Sequence, residues 1–446
     1  MRMDAFLTLF TILVSSPAVH AQSTDVAASD FDGSGRVDFL DFLDFSGAFG
    51  KTSEQDGFDA KFDLNGSATV DFSDFLIFAN NFGKSTTEES GTFLYVSDIV
   101  QNRVEAVDIS TNLSIPSRAF SVSFPRGLTL GPQAGLVYVA NLDSLQAYDE
   151  TGSFVFGIRL TEVENPVTGT PAAPSGFKVR VNAAETLAFV TETAAGAVEF
   201  IDLTTRTSLG QVAVGFDPGG MILSPDESTL YVGLRTDHIA VVDVPTRTKV
   251  DSIFTGTTAI NKITLSTDGA TLYTATATPD EGHASGSLIQ IVAIDVASRA
   301  VVDSLQISDP VDLVDQVLEL AANPAGGSLL VTLFKTAPAE EGSLNFATFV
   351  GELLVISLPN LELANTITIG EQAAGFGISP DGTTAFVSGS EELTSGVFSI
   401  FVVDLASGTR LSQLPIVIQS ATEFIFQSTK QVIDQLSRLA NILIVP

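Results

Sequence analysis

Residues 223–232 read LSPDESTLYV, the clearest copy of a phrase that recurs along the chain. An apolar position leads into a polar turn and then into a strand, because Ser, Pro and Asp favour tight turns. The same phrase returns as ISPDGTTAFV at 378–387 and as LSTDGATLY at 265–273. A strand–turn–strand unit that recurs along a chain indicates a repeat architecture.

The repeat can be followed over most of the chain. Strands that follow such a turn begin near Leu94, Val137, Ala188, Leu230, Leu272, Leu329 and Ala385. The next strand of each unit ends near Asp108, Asp149, Asp202, Asp243, Asp295, Ser357 and Asp404. Seven units spaced by about 42 to 57 residues have the period of four-stranded propeller blades.

The repeated phrase resembles the YVTN family of β-propellers. That resemblance covers most of residues 93–428 and implies a mainly β fold, a seven-bladed β-propeller, with six or eight blades as the alternatives. The chain enters the first blade at its second strand (93–97), and residues 422–426 could supply the missing innermost strand. Closure by both ends would remove the open edge of an incomplete ring. The apolar tail 429–446 receives no assignment.

A different repeat precedes the propeller. Residues 30–41 read DFDGSGRVDFLD, which puts side-chain oxygens at loop positions 1, 3, 5, 9 and 12 and Gly35 at position 6. This is the spacing of a calcium loop, in which a hard cation takes oxygen ligands only. The pattern recurs 33 residues later at Asp63, Asn65, Ser67, Asp71 and Asp74.

Each loop is followed by aromatic residues at helical spacing. The two sets are Phe39, Phe42, Phe45 and Phe49, and then Phe72, Phe75, Phe78 and Phe82. Each set forms one apolar stripe, with Gly50 or Gly83 where a helix C-cap belongs. Neither half can bury its stripe alone, so we expect the two helices to pack together.

Residues 24–86 resemble a type I dockerin, a family with two loop-plus-helix calcium repeats whose loops end in Asp. The resemblance implies two Ca²⁺ sites and a cohesin-like or cell-surface protein as partner. The first site would use Asp30, Asp32, Ser34, the Arg36 carbonyl and Asp41, with Asp38 acting through water. The second would use Asp63, Asn65, Ser67, the Thr69 carbonyl and Asp74, with Asp71 matching Asp38. Ala68 replaces the expected Gly at position 6, so the second site should be weaker. Positions 10 and 11 of the loops, which help to choose the partner in dockerins, are 39–40 and 72–73.

Composition excludes several classes of function. The net charge of −32 and the pI of about 4.1 argue against nucleic acid as a partner, because phosphate binding needs clustered Lys and Arg. With no cysteine there are no thiol nucleophiles and no Cys-based zinc sites.

The first 21 residues have the pattern of an export signal. Arg2 precedes the apolar run 5–14, and small residues suit cleavage after Ala21. The run is short for a bilayer span, so we expect removal rather than an integral membrane span. The chain is therefore predicted to be extracellular or at the cell surface, with the periplasm as the alternative. A polar linker, 87–92, would join the module to the propeller.

Loop length locates a binding face on the propeller. The long insertions 161–175, 278–287, 309–316, 335–347 and 389–395 all follow a second or a fourth strand, which puts them on one face. After signal removal only His238 and His283 remain. We expect His283 to be solvated and His238 to hydrogen-bond within its blade. The Asp residues that end the third strands repeat with the blades, which indicates turn chemistry.

Three functions are compatible with this pattern. The first is an exported, non-catalytic calcium-binding protein whose module docks to a partner while the propeller binds a protein or glycan. The second is a propeller enzyme, lactonase- or lyase-like or part of a polysaccharide-degrading assembly, that uses carboxylates at the channel mouth. The third is a structural surface protein that calcium makes rigid. Three carboxylates, or a His with carboxylates, converging in the channel would favour the enzyme.

Overall fold

The computed structural model consists of two compact units, Met1–Ser90 and Gly91–Pro446. The residues that it describes are 26–33, 37, 39–82, 92–109, 111, 113–133, 135–164, 171–256, 258–279, 287–307, 314–338, 346–392, 399–414, 421–428 and 444–445. The predicted export signal and most of the tail 429–446 lie outside these residues. Among the described helices, none has the length and apolar character needed to cross a membrane.

The first unit is built on two helices of equal length. Helix α1 spans Phe39–Ala48 and α2 spans Phe72–Asn81, with 3-10 turns at Val26–Ser29 and Ala60–Phe62. Asp71 caps the start of α2, because its side chain accepts from Ser73 N while the Asp74 side chain accepts from Asp71 N. Such a capping box satisfies two amide groups that the helix itself leaves unpaired.

The helices pack through the middle of their aromatic stripes, as the sequence predicts. The rings of Phe45 and Phe78 stack with centroids 5.5 Å apart, and each side chain is 1% exposed. The ends of both stripes differ from the prediction, since Phe39, Phe49, Phe72 and Phe82 are half or more exposed. A ten-residue helix presents only its central turns to its partner, which leaves the terminal rings outside the core.

The second unit is a seven-bladed β-propeller. Blades two to seven are four-stranded antiparallel sheets whose strands follow one another in sequence from the channel outward, and blade one adds strands from the end of the chain. Blade one contains β31 (Ala421–Ser428), β1 (Thr92–Asp98), β2 (Arg103–Asp108), β3 (Leu113–Ser114) and β4 (Phe120–Ser121). Blade two contains β5 (Gly127–Leu130), β6 (Val137–Ala140), β7 (Ser144–Tyr148) and β8 (Phe154–Arg159). Blade three contains β11 (Gly176–Val181), β12 (Leu187–Glu192), β13 (Ala197–Asp202) and β14 (Thr207–Ala213).

The remaining blades repeat this order. Blade four contains β15 (Pro218–Leu223), β16 (Thr229–Leu234), β17 (His238–Asp243) and β18 (Thr248–Phe254). Blade five contains β19 (Thr258–Leu265), β20 (Thr271–Pro279), β21 (Ser287–Asp295) and β22 (Ala300–Gln306). Blade six contains β23 (Val314–Ala322), β24 (Ser328–Pro338), β25 (Phe346–Ser357) and β26 (Glu362–Gly370). Blade seven contains β27 (Gln372–Ile378), β28 (Thr384–Ser390), β29 (Ser399–Asp404) and β30 (Thr409–Gln413). A small hairpin, β9 (Val163–Glu164) and β10 (Pro171–Ala172), lies between blades two and three, and β32 (Ile444–Val445) pairs in parallel with β31.

Both ends of the propeller sequence close the ring, which confirms the prediction. Strand β31 pairs antiparallel with β1, so that Tyr95 is opposite Ile425 and Val96 is opposite Phe424. The first blade therefore takes its innermost strand from the end of the chain. This pairing covers an edge that would otherwise expose unpaired backbone groups.

The repeated phrase forms the turn between the first two strands of a blade. Ser224 Oγ donates to Asp226 Oδ1 at 2.5 Å and accepts from Thr229 N at 3.0 Å. Equivalent bonds join Ser266 to Asp268 and Ser379 to Asp381. The Asp residues that end third strands also bond turn groups: Asp243, for example, accepts from Thr246 N and Oγ1, which lowers its pKa. Turn chemistry is thus confirmed for these repeated Asp residues.

Apolar side chains fill the space between neighbouring blades. On β15, Met221 and Leu223 pack against blade three, whereas Ile222 packs against blade five. Alternation along a strand sends successive side chains to opposite faces. Two predicted insertions are shorter than expected, because β20 reaches Pro279 and β24 reaches Pro338.

Candidate functional site

The first predicted calcium loop brings three of its carboxylates together. Oxygens of Asp30, Asp32 and Asp41 all lie within 4.8 Å of one another, and Asp41 is fully buried. Asp41 Oδ1 accepts from Phe31 N at 2.6 Å and from Asp32 N at 3.1 Å. Three carboxylates this close repel one another, and a bound cation would relieve that repulsion. Predicted ligands Ser34, Arg36 and Asp38 lie outside the described residues.

The second loop repeats this framework. Buried Asp74 accepts from Asn65 N at 3.0 Å, which matches the bond from Asp32 N to Asp41 in the first loop. Ser67 N donates to both Asp63 Oδ1 and Asn65 Oδ1 at 2.9 Å. The side chains of Asp63, Asn65 and Ser67 therefore surround one backbone turn. The Thr69 carbonyl accepts from Ser67 Oγ at 3.1 Å.

The second loop carries backbone strain at its sixth position. Ala68 has a φ of +66°, in the left-handed region that disfavours any residue with a Cβ. Its amide donates to Asp63 Oδ2 at 2.7 Å, so the strained turn is held by a predicted ligand. Position 6 of this loop therefore adopts the left-handed conformation that explains why the calcium-loop pattern has Gly there.

Both helices carry exposed apolar residues in their first turns. On α1 these are Phe39, Leu40 and Leu43, which are 60%, 57% and 49% exposed. On α2 they are Phe72 and Leu76, at 62% and 54%. Phe39 matches Phe72 and Leu43 matches Leu76 at the offset of 33 residues, so the surface repeats with the loops. We call these five residues the helix-face patch.

The propeller channel contains a buried cluster of charges that the sequence patterns did not predict. Lys178 Nζ lies 3.4 Å from Glu319 Oε2, and Lys262 Nζ lies 3.7 Å from the same oxygen. The side chains of Lys178 and Glu319 are 2% and 5% exposed. Because these residues belong to blades three, five and six, the cluster spans the channel.

Strand register explains how the cluster arises. Lys178, Lys262 and Glu319 each precede a cross-strand pair at the same place in their blades. In blades two, four and seven the equivalent position holds Gly127, Gly220 and Gly375, and in blade one backbone register puts Glu423 there. At Gly127 a Cβ would lie 2.5 Å from Phe177 O and 2.9 Å from Lys178 Cα, so glycine there lets the inner strands of blades two and three approach closely. The sequence does contain a sign of this cluster, because a charged residue recurs at one position of several inner strands.

Two buried glutamates hold the ends of the insertion between blades two and three. Glu199 accepts from Thr161 N at 2.9 Å and from Thr161 Oγ1 at 2.7 Å. Glu192 accepts from Ser175 N at 2.6 Å, while its Oε1 has no hydrogen-bond partner among the described atoms. Burial, with the like charge of Glu199 adding to it, raises the pKa of Glu192 to about 7.

The described part of the propeller contains no group of three acidic or histidine side chains close enough to hold a metal ion; the one such group in the described residues is Asp30, Asp32 and Asp41. His283, in the insertion 278–287, lies outside the described residues. His238 Nδ1 lies 2.6 Å from Asp237 Oδ1, next to it in the chain. The predicted hydrogen bond of His238 is thus present, at the start of β17.

Comparison with known proteins supports the fold. No protein family matches the chain, and no curated protein sequence does so. A candidate 6-phosphogluconolactonase from Bacteroides uniformis superposes with a TM-score of 0.54 at 13% identity, covering 76% of this chain and 100% of its own. A second, from Bacteroides fragilis, gives 0.53 at 15% identity and covers 76% and 99%. Hydrazine synthase from Kuenenia stuttgartiensis gives 0.51 at 19% identity and covers 65% and 86%. At such identities the likeness establishes the propeller fold alone.

Proposed function

We propose that this protein is an exported, non-catalytic calcium-dependent attachment protein. The observation that carries the proposal is the convergence of Asp30, Asp32 and Asp41 within 4.8 Å in a loop whose framework a second loop repeats. The donors are oxygens only, which suits a hard cation such as Ca²⁺. Asp30, Asp32, Ser34, the Arg36 carbonyl, Asp38 and Asp41 would hold the first ion.

The second site would use Asp63, Asn65, Ser67, the Thr69 carbonyl, Asp71 and Asp74. It offers one charged ligand fewer at its third position, where Asn65 stands for Asp32, and strain at Ala68 opposes its closed form. Both differences predict weaker binding. Asp71 and Asp74 also cap α2, so calcium at this loop would couple to the start of that helix.

The helix-face patch gives the module its docking surface. Phe39, Leu43, Phe72 and Leu76 are about half or more exposed although they are large and apolar. Burial of one such side chain at an interface yields roughly 1.5–3 kcal/mol, which makes a protein partner more favourable than water. A cohesin-like or cell-surface protein is the partner that the dockerin resemblance suggests. The propeller would then present its long-loop face to a protein or glycan ligand.

Capture from the source organism's envelope fraction tests docking. Immobilised full chain should retain a protein in calcium and release it in a chelator, because the loops set the positions of α1 and α2. Asp41→Asn should lose this capture, whereas Asp44→Asn, a matched change on the exposed side of α1, should keep it. Capture that survives the chelator would refute the calcium-dependent docking.

A propeller enzyme is the second candidate, favoured by the Lys178–Glu319–Lys262 cluster. Two ammonium groups and a carboxylate buried in a channel could hold an anionic substrate and move a proton. The superposing candidate lactonases suggest 6-phosphogluconolactone as the first substrate to assay. Acid release above the spontaneous rate, lost in Lys178→Met, would support this candidate. A rate that equals the spontaneous one would leave attachment as the better account.

A further inference from the structure

Blade four departs from the repeat at the pair on its two outer strands that contains the residue five positions before Asp243. The equivalent pairs contain the residues five positions before Asp108, Asp149, Asp202, Asp295 and Ser357. In six blades both residues of this pair are described, and only in blade four are they aromatic or imidazole rings: Arg103–Ser121, Ser144–Arg159, Ala197–Ala213, His238–Phe254, Gln290–Gln306 and Glu352–Thr368. The His238 and Phe254 rings lie 5.4 Å apart. Residues that break a structural repeat are not required by it, so they are candidates for a function of their own.

Two exposed phenylalanines stand at this end of blade four. Phe254 is 56% exposed, and Phe216, in the connection from blade three, is 68% exposed. Asp217 follows Phe216 and pairs with Arg235 at 3.3 Å, and Asp237 pairs with His238 at 2.6 Å. Thr255, the residue after Phe254, donates its backbone N–H to Asp237 O at 2.8 Å. This bond joins the end of β18 to the loop that carries Asp237. A polar strip thus runs between the two rings.

The strip offers both donors and acceptors of hydrogen bonds. Arg235 can only donate, and the carboxylates of Asp217 and Asp237 accept. Since His238 Nδ1 faces a carboxylate, the neutral ring carries its proton there and presents Nε2 as an acceptor. A vicinal diol donates and accepts at once, and it matches such a mixed surface.

A groove continues from Phe254 along blade five. Its volume is about 560 Å³, and its lining includes Phe254, Thr255, Gln290, Val292, Val301 and Ser304. This size lies within the usual range of small-ligand sites. The lining also includes Arg299, whose charge is paired with Asp251. The groove therefore mixes apolar side chains with hydroxyl and amide groups, which suits the C–H faces and hydroxyls of a sugar ring.

We propose that the groove and the adjoining strip bind a neutral oligosaccharide, with one sugar ring stacked on Phe254. This inference rests on the proposed function, because it names the class of ligand that the propeller would bind. Charge argues against an anionic ligand: Arg235 is paired with Asp217, the Asp237 carboxylate adjoins the uncharged imidazole of His238, and the chain carries −32 overall, which repels polyanions.

A peptide added as an extra strand fits this surface less well. The outer strand pairs of blades four and five are irregular at Val241/Val242 and Ala293/Ile294. Arg299 and Asp251 form an ion pair across the outer rim of the two blades. Bulges and charges are the features that protect sheet edges from strand addition.

Calorimetric titration of the full chain tests the proposal with three neutral hexasaccharides: β-1,4-linked glucose, β-1,4-linked xylose and α-1,4-linked glucose. At least one should bind, and Phe254→Ala should weaken it by about tenfold, equivalent to roughly 1.4 kcal/mol. Phe154→Ala, which removes a ring 59% exposed on blade two, should leave binding unchanged. Equal melting temperatures of the two variants would exclude a folding defect.

Three results would overturn the proposal: no binding of any neutral hexasaccharide at millimolar concentration, binding that Phe254→Ala does not weaken, or tighter binding of hexagalacturonate than of every neutral chain. Repetition in a chelator separates this inference from the module's role. Sugar binding that is the same with and without calcium, together with no envelope capture even in calcium, would support the glycan site and refute docking. Calcium-dependent capture with no sugar binding would support docking and refute the glycan site.

Discussion

Lys178 and Glu319 meet across the propeller channel, 3.4 Å apart, although 141 residues separate them in sequence. Lys178 lies on the innermost strand of blade three and Glu319 on that of blade six. Their contact therefore depends on how the blades are placed around the channel. Lys262 of blade five lies 3.7 Å from the same carboxylate oxygen, so one glutamate faces two ammonium groups.

Glu319→Gln should destabilise the propeller strongly. The change keeps the shape of the side chain but removes the charge that faces Lys178 and Lys262. Loss of one partner from a buried ion pair typically costs about 3–5 kcal/mol. Urea unfolding followed by fluorescence should show this loss. Glu362→Gln on the exposed start of β26 should change stability by less than about 0.5 kcal/mol, and an equally small effect at Glu319 would contradict the role assigned to the cluster.

Ala68→Gly should strengthen the second calcium loop. Glycine adopts the φ of +66° without the strain of a Cβ, which is worth about 1–2 kcal/mol, partly offset by its freer unfolded state. We expect several-fold tighter binding of the weaker Ca²⁺ in a calorimetric titration. Ala79→Gly, inside α2, should instead destabilise the module by about 1 kcal/mol. A weaker second site in Ala68→Gly would show that the strain does not limit it.

Stability should decline as pH rises through the titration of Glu192. Its folded pKa of about 7 lies above the ordinary 4.5, so the folded state binds the proton more tightly than the unfolded state does. The advantage is complete below pH 4.5 and lost as pH approaches 7, and it amounts to at most about 3 kcal/mol.

Glu192→Gln should flatten this part of the pH profile, because an amide does not titrate. Hydrogen exchange of Thr161 and Ser175 at several pH values, corrected for intrinsic rates, gives a local measure. Protection at Ser175 should fall with pH in the wild type and stay constant in the variant. Parallel profiles in the two proteins would show that Glu192 does not titrate in this range.

Removal of β31 should open the ring. A chain that ends at Leu414 lacks the strand that pairs with β1 and exposes the edge of blade one. We expect aggregation, or early exchange of the amides of Thr92–Asp98, in an exchange experiment. A chain that ends at Ser428 keeps β31 and should remain closed. Equal protection of β1 in both truncated chains would mean that the terminal strand does not close the ring.

The sequence predicts well those features that residues close together in the chain form within each blade. Ser224, Asp226 and Thr229 make their turn from neighbours in the chain, and the same bonds recur at Ser379 and Asp381. Ring closure was also predictable, since the first blade begins one strand short and residues 422–426 supply an extra strand. Both features can be predicted because each shows in the spacing of the repeated strands and turns along the chain.

The features that sequence patterns did not predict depend on how blades are placed around the ring. Lys178 and Glu319 appear as isolated charges in apolar strands until strand register brings them to the same level of the channel. Glu192 is likewise a single acid in sequence, and burial gives it its raised pKa. The pair of His238 and Phe254 becomes visible only when equivalent positions of six blades are compared.

Calcium titration of the full chain tests directly whether the two loops bind Ca²⁺. After treatment with a chelator, the protein should take up two Ca²⁺ ions with unequal affinities. Asp41→Asn should remove the tighter event, because Asp41 is the buried carboxylate that organises the first loop, while Asp44→Asn should retain both. No calcium uptake by the wild type would show that the loops do not bind Ca²⁺. Two unchanged binding events in Asp41→Asn would show that Asp41 is not a ligand of the tighter site.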